Sequence, residues 1–227
     1  MTIRLLTTDL YLHNLRTRMP FKYGIATLTV VPHLFVRVQV AVDGILATGL
    51  AADNLPPKWF TKDPATTMQH DIAEMIDVIR AACRQAEGVH QAETVFAFWQ
   101  ALYAAQKAWA EKRTSLPAYP PVLWNFGVSL VGRALIDAFC RAKGITIHRA
   151  ITTNVLGIEL GAIHAELRDQ TPVTLLPQQP TSTLRVRHTI GPGARYSPHH
   201  PTANVTNPSP IGHAAPIHAP NISAGRS

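Results

Sequence analysis

From Leu34 to Val42 every second residue is leucine or valine, and the positions between them include Arg37, Gln39 and Ala41. Successive side chains of a strand point to opposite faces, so such a strand has one aliphatic face, formed by Leu34, Val36, Val38, Val40 and Val42. Asp43-Gly44 follows at once, a dipeptide favoured in two-residue hairpin turns, and the chain returns as Ile45 to Ala52. Ile3 to Leu12 also alternates. The pattern predicts a three-stranded antiparallel meander with one buried face.

After the meander, apolar residues recur at helical spacing, which predicts helices that cover the buried face. Asp63-Pro64 is a start signal for the first helix, since an acidic cap precedes a proline. The expected helices are a first one ending near Gly88, a second from about Ala92 to Lys112, a third from about Val128 to Ala142 after three prolines, and a fourth from Ile147 to Leu156. The predicted fold class is α+β, a meander packed on a helical bundle.

The composition changes abruptly after Asp169, because residues 170–227 contain no Asp, Glu or Lys. We therefore divide the chain into a folded domain at 1–169, a linker at 170–191 and a tail at 192–227. The linker contains one alternating segment, Thr183 to Ile190, that fits a strand. The tail has no Phe, Trp, Leu or Met, so it cannot bury enough apolar surface to offset chain entropy. We expect it to be disordered.

The net charge of +7 does not predict a specific nucleic-acid partner, because it is divided between unlike parts of the chain. Residues 1–169 carry 17 Lys and Arg against 14 Asp and Glu, whereas residues 170–227 add four arginines. A basic tail of this kind binds polyanions weakly and without sequence preference.

Two cysteines, Cys83 and Cys140, lie far apart on the apolar faces of predicted helices. This placement is typical of buried thiols in a reducing compartment. The N-terminus lacks the basic region, apolar run and cleavage site of a secretory signal. No apolar stretch approaches the length of a membrane span. The sequence predicts a cytoplasmic protein with no membrane partner.

Three stretches carry a resemblance to a known family. The first is residues 19–26, followed by Pro32-His33, and the second is residues 51–60. The third, residues 131–146, has a helical signature made of Val131, Gly132, Ala134, Leu135, Asp137, Ala138 and Arg141. Over about residues 3–191 the chain resembles the N-terminal capping domain of the enolase superfamily, in the branch containing mandelate racemase and muconate lactonizing enzyme. Gly132 departs from the signature, where an acid or amide is expected, and so does Cys140, where Gly or Ala is usual.

The resemblance implies that the first two stretches are loops over a substrate pocket, with Phe21, Tyr23, Ile25 and Trp59 as substrate-loop residues. The alternative is that these side chains only pack locally. In the family, the cap covers an eight-stranded barrel that carries lysines, three carboxylate ligands for magnesium and an opposing base. Thr183 to Gly191 resembles the first barrel strand, and nothing after it continues the pattern. We therefore predict no catalytic residue, metal ligand or cofactor in this chain.

Two further groups of polar residues are candidates for a metal, and we expect neither to bind one specifically. Asp137 lies within the helical signature, which favours a structural role. The histidines of the tail have no spacing that preorganises a site, and they include His199, His200, His213 and His218. No phosphate-binding glycine loop, Cys-x-x-Cys pair or nucleophile elbow is present.

These observations predict a fragment of an enolase-superfamily racemase, cycloisomerase or dehydratase that is inactive by itself. A truncated or frameshifted gene would explain the change after Gly191, since a shifted GC-rich frame tends to yield Pro, His, Ala, Arg and Ser. The alternative is an interaction module that docks onto a separately encoded barrel or a second copy of itself. Such a module needs an exposed apolar face.

Overall fold

The computed structural model describes residues 1–113 and 118–186. Three strands form one antiparallel sheet in the order β1 (Ile3–Tyr23), β2 (Ala26–Val42) and β3 (Ile45–Asn54). The helices that follow are α1 (Met68–Glu87), α2 (Val95–Glu111), α3 (Pro121–Lys143), α4 (Ile147–Thr152) and α5 (Pro172–Leu175). Two 3₁₀ turns, Leu160–Ala162 and Ala165–Leu167, lie between α4 and α5. The predicted α+β fold class is confirmed, and the predicted disorder of 192–227 lies outside the described residues.

The aliphatic face of β2 is the centre of the core, as its alternation predicts. Its side chains at 34, 36, 38, 40 and 42 are all fully buried. Val42 pairs with Ile45 on either side of the predicted hairpin turn. Asp43 and Gly44 in that turn both have positive φ angles, 48° and 82°. This is the backbone that the two-residue turn requires and that Asp-Gly tolerates.

Helix α3 lies at the centre of the helical layer and packs against β2, β3, α1 and α2. Its close approach to β3 depends on Gly49, because a Cβ there would lie 2.5 Å from the Ala138 nitrogen. We expected no apolar stretch of membrane-spanning length, but α3 is long and apolar enough to cross a membrane, and it is the one such helix among the described residues. Most of its apolar window is buried inside the protein, as expected for the core helix of a folded domain.

Capping residues shift the helix boundaries away from those that we predicted. Helix α1 begins at Met68, later than Asp63-Pro64 suggested, because the Thr67 hydroxyl accepts the His70 N–H at 3.1 Å. Helix α2 begins at Val95, and the Thr94 hydroxyl caps it by accepting the Ala97 N–H at 3.0 Å. The threonine cap outweighs the signal at Asp63-Pro64 in α1, and in α2 it places the start three residues after the predicted Ala92.

Two other boundaries were wrong for different reasons. Helix α3 begins at Pro121, seven residues before the prediction, because proline is favoured at the first helical position. Helix α4 ends at Thr152 rather than at Leu156.

Of the predicted strand from Thr183 to Ile190, residues 183–186 are exposed and form no strand, and residues 187–190 lie outside the described range. Both cysteines are buried and form no disulfide.

Strands β1 and β2 extend well past the end of β3. The last β2–β3 pair joins His33 to Asn54, while β1 and β2 continue to pair as far as Tyr23 and Ala26. We call residues 14–32 the arm. Residues 19–26, predicted as a flexible loop, form the end of this hairpin, with a turn at Gly24-Ile25. The register shifts between Arg16 and Phe21, which marks an irregular pairing within the arm.

Candidate functional site

The arm and the segment after β3 bring three of the four predicted substrate-loop residues to one cavity. Phe21 and Tyr23 come from the end of β1, and Trp59 comes from the segment that follows β3. The cavity has a volume of about 500 Å³, and its lining comprises Phe21, Tyr23, Leu28, Val31, Asp53, Asn54, Pro56, Trp59, Phe60 and Phe126. Ile25 lies at the tip of the arm and borders a second cavity together with Tyr23 and Trp59.

Aromatic contacts join the arm to the opposite side of this cavity, which we call the aromatic cavity. The ring centroids of Phe21 and Tyr23 are 6.0 Å apart, and those of Tyr23 and Trp59 are 6.2 Å apart. The Tyr23 hydroxyl donates a hydrogen bond of 2.6 Å to the Pro57 carbonyl. Burial, and secondarily the charge of Asp71, raises the pKa of Tyr23. The phenol therefore stays protonated at neutral pH and keeps this hydrogen bond.

A buried ion pair fixes the segment that carries Trp59. The Lys58 ammonium lies 3.1 Å from Asp71 Oδ2, and both side chains are almost completely buried. Lys58 Nζ also donates to the Asp63 carbonyl at 2.8 Å, to the Thr66 carbonyl at 2.6 Å, and to the Thr66 hydroxyl. All of its donors are therefore directed at oxygen atoms. We call this arrangement the Lys58 clasp.

Asp71 completes the clasp from the first turn of α1. Its Oδ2 accepts the backbone N–H of Lys58 at 2.9 Å, and its Oδ1 accepts the Thr66 hydroxyl at 2.7 Å. Lys58 has a φ of 60°, a left-handed backbone that is costly for a residue with a side chain. The hydrogen bonds on either side of Lys58 hold this conformation, and they fix the direction of the neighbouring Trp59.

Polar groups at the rim of the aromatic cavity are paired with one another. Asp53 forms an ion pair of 2.9 Å with Arg133 of α3. Asn54 Oδ1 lies 2.7 Å from His33 Nδ1. The lining residues otherwise supply apolar and aromatic surface, so the cavity is suited to an apolar group. None of the lining residues pairs a nucleophile with a base.

Asp137 has a structural role in the described geometry, as its position in the helical signature suggests. Its Oδ2 accepts the Leu50 backbone N–H at 2.9 Å and the Arg141 Nε–H at 3.0 Å. Leu50 lies on β3, the edge strand, so Asp137 satisfies a donor that would otherwise be unpaired. The small residues Ala134 and Ala138 lie against Gly49 and permit this approach.

A larger cavity of about 800 Å³ lies along the C-terminal part of α3, away from the predicted substrate-loop residues. Its lining includes Arg133, Asp137, Cys140 and Arg141. Both arginines are already paired, with Asp53 and Asp137 respectively. Burial raises the pKa of Cys140, and the nearby Asp137 raises it further, so the thiol is not an activated nucleophile.

A magnesium centre does not fit the described residues. Every Asp and Glu of the chain lies among them, from Asp9 to Asp169. No three His, Cys, Asp or Glu side chains in 1–113 and 118–186 come together as a metal site. The tail histidines His199, His200, His213 and His218 lie outside those ranges, so their expected lack of a specific site stays a prediction.

No protein-family model and no curated protein matches the chain. Among solved structures, it is similar to a mandelate racemase/muconate lactonizing enzyme-like protein from Rubrobacter xylanophilus, with 16% identity and a TM-score of 0.42. That match covers 66% of this chain and 33% of the other. A mandelate racemase/muconate lactonizing protein from Herpetosiphon aurantiacus is 20% identical, with a TM-score of 0.39, and the match covers 65% and 34%.

An enolase from Bradyrhizobium, solved with magnesium and mandelic acid, is 13% identical, with a TM-score of 0.39 and coverage of 63% and 33%. These neighbours carry the names of the family that the sequence resembles. The chain spans about a third of the length of the solved structures it matches. Likeness at this level assigns neither an activity nor a substrate to the chain.

The Lys58 clasp was not predicted from the sequence. Lys58 follows two prolines and looks like an ordinary solvent-exposed lysine. The available signal was Asp71, an acid four residues after the threonine cap of α1, where a helix terminus favours negative charge. Nothing in the sequence states that Asp71 is buried or that it meets Lys58.

Proposed function

We propose that the chain is a capping region of the mandelate racemase/muconate lactonizing enzyme branch of the enolase superfamily. In this role the arm and the Trp59 segment form the apolar side of a substrate pocket. The observation that carries the proposal is the meeting of Phe21, Tyr23 and Trp59 at one cavity, although two strands separate Tyr23 from Trp59 in the sequence. Loops held on a rigid sheet are where such scaffolds place specificity.

The chemistry of the aromatic cavity supports a role in binding rather than in proton transfer. Its rim carboxylate, Asp53, is neutralised by Arg133, and its phenol, Tyr23, has a raised pKa and donates to a backbone carbonyl. An apolar group of a ligand loses little by entering such a surface, whereas a charged group would lose its hydration without gaining a partner. The groups that react must therefore come from elsewhere.

By itself the chain should catalyse no magnesium-dependent proton abstraction next to a carboxylate. That reaction needs a positioned base and a metal that stabilises the developing charge. All of the chain's carboxylates lie in the described residues and none of them clusters. We expect no deuterium exchange at the α-carbon of hydroxy or amino acids when magnesium is added. Reproducible magnesium-dependent exchange would disprove the proposal that the chain is inactive by itself.

The DNA encoding the chain provides the direct test of a truncated or frameshifted origin. We propose that translation in another frame beyond Gly191 yields alternating β-branched strands and amphipathic helices. A lysine pair on the second strand and acidic residues at the ends of three later strands should follow. If neither other frame contains them, the frameshift proposal fails and the interaction module becomes the leading one.

A second candidate is a module that docks onto a separate barrel or onto a second copy. The observation that favours it is an apolar depression of about 270 Å³ between α2 and α3, lined by Val95, Phe96, Trp99, Gly132, Ile136, Leu156 and Ile158. Sedimentation velocity of the purified chain separates the two forms of this candidate. Concentration-dependent self-association favours a second copy, and a monomer at all concentrations favours a separate partner.

A further inference from the structure

One edge of β2 has no strand partner over residues 26–31. On one side, these residues pair with β1 as far as the turn at Gly24-Ile25. On the other side, β3 ends at Asn54, which pairs with His33, and no further described strand continues it. Leu55 N–H donates to the Pro32 carbonyl at 2.8 Å, and the chain then turns away towards Lys58. Thr27, Thr29 and Val30 are exposed, whereas Ala26 and Val31 are buried, so the accessible part of this edge is residues 27–30. An unpaired edge presents backbone donors and acceptors to an incoming strand.

The unpaired edge borders the aromatic cavity. Leu28 and Val31 belong to this part of β2 and line the cavity together with Phe21 and Trp59. A strand added beside residues 26–31 would direct alternate side chains to the two faces of the sheet. One of its apolar side chains would then enter the cavity. Edge and cavity together are the two parts of a strand-addition site, since the backbone supplies affinity and the cavity supplies selectivity.

The charges of the arm define the chemistry of the incoming strand. The arm contains Arg16, Arg18 and Lys22 and no acidic residue. None of the three forms an ion pair with another described residue. Lys62, at the neighbouring cavity, is exposed and likewise has no acidic partner among those residues. Two arms brought edge to edge would repel each other, whereas an acidic strand would be attracted.

We propose that the edge of β2 at residues 26–31 binds an extended acidic segment of a partner protein as an added strand. An apolar residue of that segment occupies the aromatic cavity, and its acidic residues are attracted to Arg16, Arg18 and Lys22 of β1, which lie across β2 from the added strand. The partner segment and a substrate would compete for the aromatic cavity, and binding of the segment does not require the capping role. Failure of the peptide to bind would therefore leave the capping role untouched.

The test measures fluorescence anisotropy of labelled peptides with the full chain. The probe alternates Glu and Val and is as long as β3, ten residues. One comparison peptide replaces every Glu by Lys, and another keeps the charge but places proline at the centre, where it removes ladder hydrogen bonds. We expect saturable binding of the Glu-Val peptide and affinities lower by about tenfold or more for the other two. Equal affinity for the proline peptide would overturn strand addition.

Single charge reversals locate the site on the arm. The Arg16→Glu variant should lower the affinity for the Glu-Val peptide by about fivefold, and Arg4→Glu by less than about twofold. Arg4 is an exposed arginine of the same strand outside the arm. Circular dichroism checks that both variants stay folded. Equal losses for the two variants would overturn the assignment to the arm. Tighter, arm-dependent binding of a single-stranded oligothymidylate than of the peptide would overturn it in favour of nucleic acid.

Discussion

The sheet beneath α3 and the arm beyond β3 are parts of the same strands held in different ways. Beneath α3, every second side chain of β2 is fully buried. There β2 pairs with β1 along one edge and with β3 along the other. In the arm, Leu15, Met19, Ile25 and Val30 are exposed. The arm is held by the pairing of β1 with β2 and by buried side chains that include Ala26 and Val31. Its contacts with the rest of the domain include one hydrogen bond from Tyr23, its aromatic contacts, and a loop fixed by the Lys58 clasp.

A substitution in the core should therefore act on the whole fold, whereas a substitution in the arm should act locally. Burial under α3 is shared among many apolar side chains, so the loss of one lowers the stability of the entire domain. The arm and its loop depend on a few polar contacts at named atoms. Loss of one of these should open the site while the core stays folded, because low-stability regions open separately.

The largest effect on global stability should come from the core. Phe139 of α3 is fully buried. Phe139→Ala should lower the free energy of unfolding by about 3–5 kcal/mol, from lost burial and the cavity left behind. Trp59→Ala is the control from the site, since Trp59 is 61% exposed, and it should change that free energy by less than about 0.5 kcal/mol. Urea titration measures both. A large cost for Trp59→Ala would place the loop inside the cooperative core.

Asp71→Asn should have the largest effect on the site. It leaves the Lys58 ammonium buried without an opposing charge, which costs about 3–5 kcal/mol when no relaxation occurs. The structure can respond by opening the loop at 55–66, so we expect faster tryptic cleavage after Lys58 or Lys62. Asp9→Asn is the control because its pair with Arg37 is well exposed.

Replacing both members of the clasp by apolar residues checks that the unpaired charge causes the opening. The variant Lys58→Met/Asp71→Leu should regain most of the protection against trypsin at Lys62, since an apolar pair of similar size avoids the buried charge. If the double variant is cleaved at Lys62 as fast as Asp71→Asn, the hydrogen bonds to the Asp63 and Thr66 carbonyls are what hold the loop.

Replacing glycine by alanine should have opposite effects on stability at Gly49 and at Gly132. Gly49→Ala places a Cβ against the backbone of α3 at Ala134 and Ala138, and it should lower the free energy of unfolding by about 1–3 kcal/mol. A Cβ at Gly132 would lie 3.6 Å from Trp99, an ordinary contact. Gly132→Ala should raise that free energy by up to about 1 kcal/mol, because glycine weakens a helix interior. Thermal unfolding measures both. The same sign for both variants would contradict this geometry.

Tyr23→Phe should loosen the tip of the arm without affecting the core. The substitution removes the hydrogen bond to the Pro57 carbonyl, which contributes about 0.5–1.5 kcal/mol. Hydrogen exchange of residues 14–32 should become faster, while exchange in α3 stays unchanged. Tyr11→Phe is the control, because Tyr11 lies on the same strand and its ring contact with Arg37 is retained. Equal effects of the two variants would show that the Tyr23 hydroxyl does not hold the tip.

The contrast between core and arm also explains what the sequence could predict. The face of β2 and the turn at Asp43-Gly44 were predicted correctly because their signals are local and periodic. Helix α1 begins later than Asp63-Pro64 suggested because Thr67 forms its cap, and α2 begins at Val95, after the predicted Ala92, because Thr94 caps it. Local pattern is therefore a good guide to the core and a weaker guide to element ends.

The candidate site depends on contacts that the sequence does not encode locally. Residues Phe21, Tyr23, Ile25 and Trp59 were proposed from a family resemblance, and their role as substrate contacts stays a prediction. The Lys58 clasp could not be predicted because nothing in the sequence marks Lys58 or Asp71 as buried, and that burial arises only when the loop folds back on α1. Likewise, the continuation of β1 and β2 into an arm was hidden by Pro20 and Gly24, which are typical of a loop.

The smallest predicted effect concerns pH and the turn at the opposite end of the sheet from the arm. Asp43 Oδ2 accepts from Lys143 Nζ at 2.7 Å, and Oδ1 accepts the Thr2 N–H at 2.8 Å. These bonds, first of all the one to Lys143, lower the pKa of the Asp43 carboxyl. Because the folded pKa lies below the unfolded one, the stabilisation is complete above the ordinary carboxyl pKa of about 3.9 and is lost as the pH falls through the folded pKa.

Asp43→Asn keeps a good turn sequence but removes the titrating group. The wild type should therefore be the more stable protein at neutral pH, and the difference should shrink in acid. A difference that stays constant between neutral and acidic pH would mean that the turn backbone, and not the charge on Asp43, joins this end of the sheet to α3.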